Sequence, residues 1–241
     1  MPLRFFIPAP GEVKSGDLLP LDRDQTHYVT RVMRKKAGDT LQCFDGAGLA
    51  FTAELAVEDP RRAEISIRDI TPRTPAPVPE LHAALSLLKG SAMDRAIQAA
   101  VELGATAISL IKTARTEVAW KDAKRADNKM IHWHKVVVGA CEQSGQLHIP
   151  QLHPVCSLSD ALEAAAAGAV AFDASGEPMP DDIPEAPQTV FIGPEGGWTD
   201  AELAAFSTAG APIYRLGGSI LRAETMPGVA LALLQQAQGW R

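Results

Sequence analysis

The stretch that decides the fold is Thr189-Val-Phe-Ile-Gly-Pro-Glu-Gly-Gly-Trp-Thr-Asp-Ala-Glu202. It predicts a buried strand over residues 189–192, a glycine-rich turn, and a helix over residues 199–208. Thr199 and Glu202 have the spacing of a capping box, which fixes where that helix begins. Ligands of parallel sheets bind beyond the carboxyl ends of the strands, and glycine lets a backbone approach a ligand closely. We therefore expect the turn to contact a ligand, although a simple strand-to-helix turn is the alternative.

A second stretch repeats this design: Tyr214-Arg-Leu-Gly-Gly-Ser-Ile-Leu-Arg-Ala-Glu-Thr-Met-Pro227. A strand over residues 212–216 ends in glycines, and a helix over residues 227–238 follows a polar loop. The two glycine loops could face each other across one pocket. Arg222 and Glu224 in the second loop are candidate site residues, or simply a local ion pair. Neither loop is a P-loop or a dinucleotide fingerprint, which disfavours a nicotinamide-dependent oxidoreductase.

The rest of the chain divides at residues 71–79, which hold four prolines in nine positions and predict a stiff linker. We place the domains at residues 1–72 and 81–241, with the linker at 73–80. After the linker, apolar strands alternate with helices, which predicts a parallel sheet covered on both faces. Before it, short strands and a single helix-like stretch at residues 27–34 predict a small β-barrel. The remaining predicted strands are residues 4–7, 40–44, 49–55, 63–70, 81–88, 105–111 and 169–173, and the remaining helices are residues 91–104, 121–145 and 157–168.

Composition narrows the class of protein further. The chain has 241 residues, of which 46% are hydrophobic, enough for a sizeable core. Its three cysteines, Cys43, Cys141 and Cys156, are dispersed without a CxxC pair, which argues against a disulfide framework or a zinc site and fits a reducing cytoplasm. The longest small or apolar run, residues 164–172, is too short to span a bilayer, and the N-terminus lacks a secretory signal. The six histidines form no recognisable ligand set, so we expect no metal.

Charge is unevenly distributed along the chain. The net charge is −6, but residues 151–241 alone carry three Lys/Arg against eleven Asp/Glu. Residues 31–36 hold four cations, and residues 112–135 hold seven against three acids. Such clusters suit contacts with phosphates, which supply affinity without reading sequence, although ordinary solvated faces have the same composition.

The two glycine loops together resemble the RsmE family, S-adenosylmethionine-dependent methyltransferases of the SPOUT superfamily that act on N3 of a uridine in 16S ribosomal RNA. Arg4-Phe-Phe, His27 to Arg34 with Gly38-Asp39, Lys89-Gly90, Glu102-Leu-Gly104 and Glu142-Gln-Ser-Gly145 are similar to its other motifs. The resemblance implies a PUA-like N-terminal barrel that grips RNA. It also implies a C-terminal domain tied in a deep trefoil knot, and a cytoplasmic homodimer. The chain departs from the usual family pattern at three positions: Gln146 and Ser219 replace arginines, and Met226 replaces an alanine.

The resemblance also implies roles for individual residues. Backbone groups of the glycine loops would hold S-adenosylmethionine. Arg222 would stabilise the uracil anion, and Glu195 or Glu224 would orient the base or accept its proton. The implied cofactor residues are Ile192, Gly193, Gly196, Leu216, Gly217, Ile220 and Leu221. The candidate contacts to 16S rRNA or the small ribosomal subunit are Arg4, Arg31, Arg34, Lys35, Lys89 and Arg115.

Two other functions remain open at this point. One keeps the fold and the chemistry but methylates a different RNA nucleotide. The other is a non-catalytic RNA-binding or ribosome-assembly factor, which the loss of arginine at Gln146 and Ser219 favours. Binding of the methyl donor separates an enzyme from a bare binding protein, and mapping of the modified nucleotide separates the two enzymes.

Overall fold

Contacts in the computed structural model divide the chain into two compact units. The structure describes residues 4–8, 12–118, 123–165, 168–183, 186 and 188–239. The first unit comprises Met1–Ala76 and Cys141–Ile149, and the second comprises Pro77–Ala140 and Pro150–Arg241. Residues 141–149 therefore pack with the N-terminal unit, whereas the boundaries predicted from sequence put them in the second domain.

The first unit is built on a five-stranded sheet in the order β1-β3-β4-β5-β2. Strand β1 runs parallel to β3, and every other neighbouring pair is antiparallel. Alternate residues of β4 are buried, as its alternating sequence predicts: Phe51, Ala53 and Leu55 point into the core. The strands are β1 (Arg4–Phe6), β2 (Leu18–Pro20), β3 (Thr40–Phe44), β4 (Ala50–Val57) and β5 (Glu64–Ile70).

The helix that follows β2 in this unit begins earlier than the sequence predicts. Helix α1 spans Arg23–His27, and a π-helical turn continues it over Tyr28–Val32, so the predicted boundaries at residues 27 and 34 are wrong. The earlier start is explained by the N-terminus of α1, where Asp22 and Gln25 form a capping box that satisfies the first free backbone donors of the helix.

Residues 141–149 fix the first strand of the unit. The carboxylate of Glu142 accepts a hydrogen bond from the backbone N–H of Phe6 at 3.0 Å. Arg4 donates to the carbonyl of Gly145 at 2.6 Å, and Gly48 donates to the carbonyl of Leu147 at 3.0 Å. Burial raises the pKa of Glu142, and the hydrogen bond from Phe6 opposes that rise.

The second unit holds a six-stranded sheet in the order β11-β9-β10-β6-β7-β8, and all its neighbouring strands are parallel. This confirms the parallel sheet predicted from the alternation of strands and helices. The strands are β6 (Leu81–Ser86), β7 (Ala107–Lys112), β8 (Gln151–Ser157), β9 (Ala169–Pro178), β10 (Gln188–Ile192) and β11 (Ile213–Arg215). The helices are α2 (Ser91–Glu102), α3 (Ala123–Ser144), α4 (Leu158–Ala165), α5 (Asp200–Thr208) and α6 (Met226–Ala237).

Aromatic packing joins the first glycine loop to the core of this unit. The ring of Phe206 on α5 meets Phe191 on β10 edge to face, with ring centroids 5.2 Å apart. Trp198 packs on the same ring at 4.9 Å. All three side chains are buried. The loop between β10 and α5 is therefore anchored through its last aromatic residue.

Two strands lie almost entirely outside the predicted elements, and several elements of the second unit have other bounds than predicted. Strand β2 lies outside every predicted element, and β8 lies outside them except for Ser157, where a predicted helix begins; none of the residues of β8 is fully buried. Strand β9 continues through Pro178, beyond its predicted end at residue 173. Helix α6 begins at Met226 rather than Pro227, and its N-cap Thr225 makes no side-chain hydrogen bond. Among the described residues, no helix is long and apolar enough to cross a bilayer.

Candidate functional site

A cleft of about 830 Å³ opens at the carboxyl ends of β10 and β11, beside residues 172–174 in the middle of β9. Two segments form most of its wall: the first glycine loop, residues 193–198, and the second glycine loop, residues 216–225. The structure brings together in this wall all the residues assigned from sequence to cofactor and catalysis. They are Ile192, Gly193, Glu195, Gly196, Leu216, Gly217, Ile220, Leu221, Arg222 and Glu224.

The first glycine loop is anchored at its C-terminal end. At its far end the indole N–H of Trp198 donates to the carbonyl of Phe172 at 3.0 Å. Thr199 and Glu202 then form the predicted capping box of α5, with both reciprocal hydrogen bonds present. A rigid loop can present its backbone to a ligand without a further ordering cost.

Arg115 supports the same loop from the segment after β7, a role that the sequence analysis did not foresee. Its Nη1 donates to the carbonyls of Gly196 and Trp198 at 2.7 and 2.9 Å. A Cβ at Gly196 would lie 3.1 Å from the Arg115 Cβ, so a larger residue there would crowd Arg115. The neighbouring Ala114 N–H donates to Glu202 at 2.8 Å. Arg115, predicted as an RNA contact, is thus engaged with loop carbonyls.

The second glycine loop is open to a ligand. Within the described part of the chain, the backbone groups of residues 217–221 make no hydrogen bond. Ile220 is 93% exposed, whereas Leu216 and Leu221 are half-buried. The loop closes where Thr225 and Met226 donate to the carbonyl of Arg222 at 2.9 and 3.1 Å. Free backbone polar groups beside apolar side chains suit a ligand that is part polar and part apolar.

The two glutamates of the cleft wall have different partners. Glu195 is exposed, and its carboxylate accepts a hydrogen bond from the backbone N–H of Lys89 at 3.2 Å. Glu224 is 13% exposed, and its carboxylate pairs with the guanidinium of Arg95 at 3.0 Å. The predicted alternative of a local Arg222–Glu224 ion pair is wrong, since Arg95 takes that place. The backbone N–H of Glu224 itself, then Arg95 and Arg222, lower the pKa of Glu224.

Two of the predicted RNA contacts on this unit are engaged with other groups. The ammonium of Lys89 forms an ion pair with Glu117. The hydrogen bond and charge of Glu117 raise the pKa of Lys89, and Lys89 lowers that of Glu117. Arg115 is the other, as described above.

Two groups of cations in the first unit differ in their partners. The basic segment, Arg31, Arg34 and Lys35, has no ion pair among the described residues; Arg31 and Arg34 are exposed, and Lys35 donates to the carbonyl of Thr40 at 3.3 Å. Arg34 has a φ of 53°, a left-handed conformation that is uncommon outside glycine. The paired cations each have a carboxylate partner within 2.9 Å: Lys36 with Glu58, Arg62 with Glu64, and Arg68 with Glu54.

The cysteines and histidines indicate no second reactive centre. Burial raises the pKa of Cys43 and of Cys141 to about 12, which keeps both thiols protonated and unreactive. His132 is paired with Asp94, with nitrogen and oxygen 3.0 Å apart. Across the described ranges, no three His, Cys, Asp or Glu residues are grouped as metal ligands would be.

Comparison with known proteins identifies the family. Residues 74–235 match the RNA methyltransferase domain, and residues 21–68 match the RNA methyltransferase PUA domain. The ribosomal RNA small subunit methyltransferase E of Mycobacterium tuberculosis is 31% identical over 227 residues, which cover 90% of this chain and 86% of that one. The chain belongs to the RsmE family. Its likeness to the Synechocystis member is 32% over 218 residues, covering 86% of this chain and 69% of that one.

Solved structures extend the RsmE likeness to the whole fold. The RsmE of Neisseria gonorrhoeae, bound to S-adenosylmethionine, superposes with a TM-score of 0.86 at 30% identity, covering 98% of this chain and 97% of that one. A methyltransferase from Legionella pneumophila with bound S-adenosylmethionine superposes with a TM-score of 0.90 at 29% identity, and the match covers 98% of each chain.

Proposed function

We propose that this chain transfers a methyl group from S-adenosylmethionine to N3 of a specific uridine in 16S rRNA. The observation that carries the proposal is the cleft at the carboxyl ends of β10 and β11, walled by two glycine loops. Membership of the RsmE family supports the RNA methyltransferase activity, and the donor bound to two structural relatives supports the cofactor.

The residues of the cleft fit the donor. Its adenosine and methionine parts need hydrogen-bond partners beside apolar surface, and the second glycine loop offers free backbone groups next to Leu216, Ile220 and Leu221. When bound, the donor supplies an electrophilic methyl group on a sulfonium centre. We assign donor binding to Ile192, Gly193, Gly196, Leu216, Gly217, Ile220 and Leu221.

The acceptor nitrogen determines what the catalytic side chains must do. N3 of neutral uracil carries a proton, so the nitrogen becomes nucleophilic only when that proton leaves or the resulting anion is stabilised. We assign the stabilisation to Arg222, an exposed guanidinium in the cleft wall. Of the carboxylates in the cleft wall, we assign Glu195 or Glu224 to orient the base or accept the proton.

Binding of the RNA is assigned to both units. The PUA match supports an RNA-gripping role for the first unit, which we expect to close into a PUA-like barrel. The proposed contacts are Arg4, the basic segment, Lys89 and Arg115; Arg4, Lys89 and Arg115 would keep their observed partners or exchange them for phosphates. We further propose a cytoplasmic homodimer whose second unit carries a deep trefoil knot.

Calorimetric titration with S-adenosylmethionine, with NADH as the control ligand, tests the cofactor assignment. We expect saturable binding that Gly217→Val weakens, since Gly217 lines the cleft with a φ of 57°. Gly210→Val is a matched control, because Gly210 has a φ of 72° and, like Gly217, no neighbouring atom within 4 Å of an added Cβ, but lies outside the cleft. A folded protein that binds no donor would overturn the methyltransferase proposal in favour of the RNA-binding factor.

A further inference from the structure

Arg95 contacts the wall of the cleft from outside it. Its Nη2 donates to the carboxylate of Glu224 at 3.0 Å, and its Nη1 donates to the hydroxyl of Ser91 at 2.9 Å. Ser91 is the first residue of α2, one turn before Arg95, so the guanidinium is held between its own helix and the second glycine loop. Two fixed donors restrict the side chain to one orientation, which a single surface ion pair does not do.

This pairing determines the state of the neighbouring Arg222. Glu224 follows Arg222 by two residues, and both line the same cleft. Because Arg95 engages the carboxylate, Arg222 has neither an ion pair nor a side-chain hydrogen bond among the described residues. Without Arg95, Glu224 would lose its ion-pair partner, and Arg222, whose charge already lowers the pKa of Glu224, would be the nearest cation in the sequence to replace it.

We propose that Arg95 is a positioning residue that acts as the counter-ion of Glu224 and so leaves Arg222 free to bind an anionic oxygen in the cleft. The inference rests on the proposed function for the identity of that anion, the deprotonated uracil. It assigns Glu224 to the pairing with Arg95 and leaves Glu195 as the glutamate available to the base. Removing Arg95 would slow methyl transfer in two ways. It would leave a negative charge beside the reacting base, and it would offer Arg222 a competing partner.

A double-mutant cycle isolates this effect. Arg95→Met should lower kcat and kcat/KM together by about tenfold, because the stabilisation lost is that of the charge that develops during reaction. Arg95→Lys should keep most of the activity, since it retains the positive charge. Adding Glu224→Gln to Arg95→Met should raise kcat above that of Arg95→Met alone, because the competing carboxylate is gone. Arg68→Met is the matched control, because it breaks a similar ion pair, with Glu54 at 2.8 Å, in the other unit.

The availability of Arg222 can be measured without methyl transfer. Phenylglyoxal modifies free guanidinium groups, and peptide mass spectrometry quantifies its reaction at Arg222. We expect the modification rate at Arg222 to fall several-fold in Arg95→Met and to recover in the double variant, with each variant first shown to be folded by its thermal transition. An unchanged rate in Arg95→Met would overturn the counter-ion role whatever the activity. A wild-type protein that transfers no methyl group to 16S rRNA or small subunits would overturn the proposed function, while the modification rates would still decide the role of Arg95.

Discussion

Replacing Arg115 with alanine should weaken binding of S-adenosylmethionine about tenfold. The side chain donates two hydrogen bonds to carbonyls of the first glycine loop, at 2.7 and 2.9 Å. A hydrogen bond with a charged partner contributes about 1.5 kcal/mol. Arg115 is exposed, so we halve that figure for solvent screening, which leaves about 1.5 kcal/mol for the pair. If the loop must be ordered before the donor binds, that loss appears as about a tenfold rise in Kd.

Calorimetry on the purified variant measures this effect directly, and the matched control is Arg68→Ala, which removes an exposed arginine from an ion pair in the other unit. The thermal transition of each variant should lie close to that of the wild type, because neither side chain is buried. An unchanged donor Kd in Arg115→Ala would refute the claim that Arg115 supports the donor site. If the same variant then bound RNA with a weaker salt dependence, Arg115 would be the RNA contact that the sequence predicts.

Three further predictions concern stability and RNA binding. Burial and the nearby His153 lower the pKa of His82 from 6.5 to about 4. Between these two pH values His82 is protonated in the unfolded chain but not in the native state, so the free energy of unfolding should fall as pH drops from 6.5 towards 4. Urea denaturation should show a free energy of unfolding about 2 kcal/mol lower at pH 5 than at pH 8, and His82→Gln should abolish that difference. An equal difference in the variant would contradict the role of His82. By the same assay, Gly48→Ala should cost about 2 kcal/mol more than Gly38→Ala. Both glycines have φ above 90°, but only at Gly48 would an added Cβ overlap the carbonyl oxygen of Thr74; equal losses would argue against that overlap. Neutralising the basic segment should reduce by about 2 the slope of log K against log salt concentration, where K is the binding constant for single-stranded RNA. Neutralising the paired cations should change that slope less, and the reverse order would exclude the basic segment as the RNA contact.

Local sequence patterns were sufficient to predict the main elements of both units. The alternation in β4 and the capping box at Thr199 and Glu202 depend on residues close together in the chain, and both appear in the structure as predicted. Strand β8 was missed because it has Pro154 in its middle and no fully buried residue, so it lacks the apolar run by which the other parallel strands are recognised.

The two glycine loops of the candidate site could be predicted from sequence, but the residues that support them could not. The glycine loops stand out because unusual residues are adjacent in sequence. The arginines that support the loops lie far from them in sequence: Arg95 contacts Glu224 across 129 positions, and Arg115 contacts Gly196 across 81. Each supporting arginine looks like an ordinary surface cation until the fold gives it a partner. The same holds for Glu142, which contacts Phe6 across 136 positions and so belongs to the first unit.

The central claim is that this chain methylates N3 of a uridine in 16S rRNA. The direct test incubates the protein with S-adenosylmethionine and either 16S rRNA or small ribosomal subunits lacking the modification, followed by nuclease digestion and mass spectrometry of the nucleosides. We predict one 3-methyluridine per RNA, formed by the wild type and greatly reduced by Arg222→Ala. A methyl group on a different nucleotide would contradict the assigned target, and donor binding without any methyl transfer to either substrate would contradict the assigned activity.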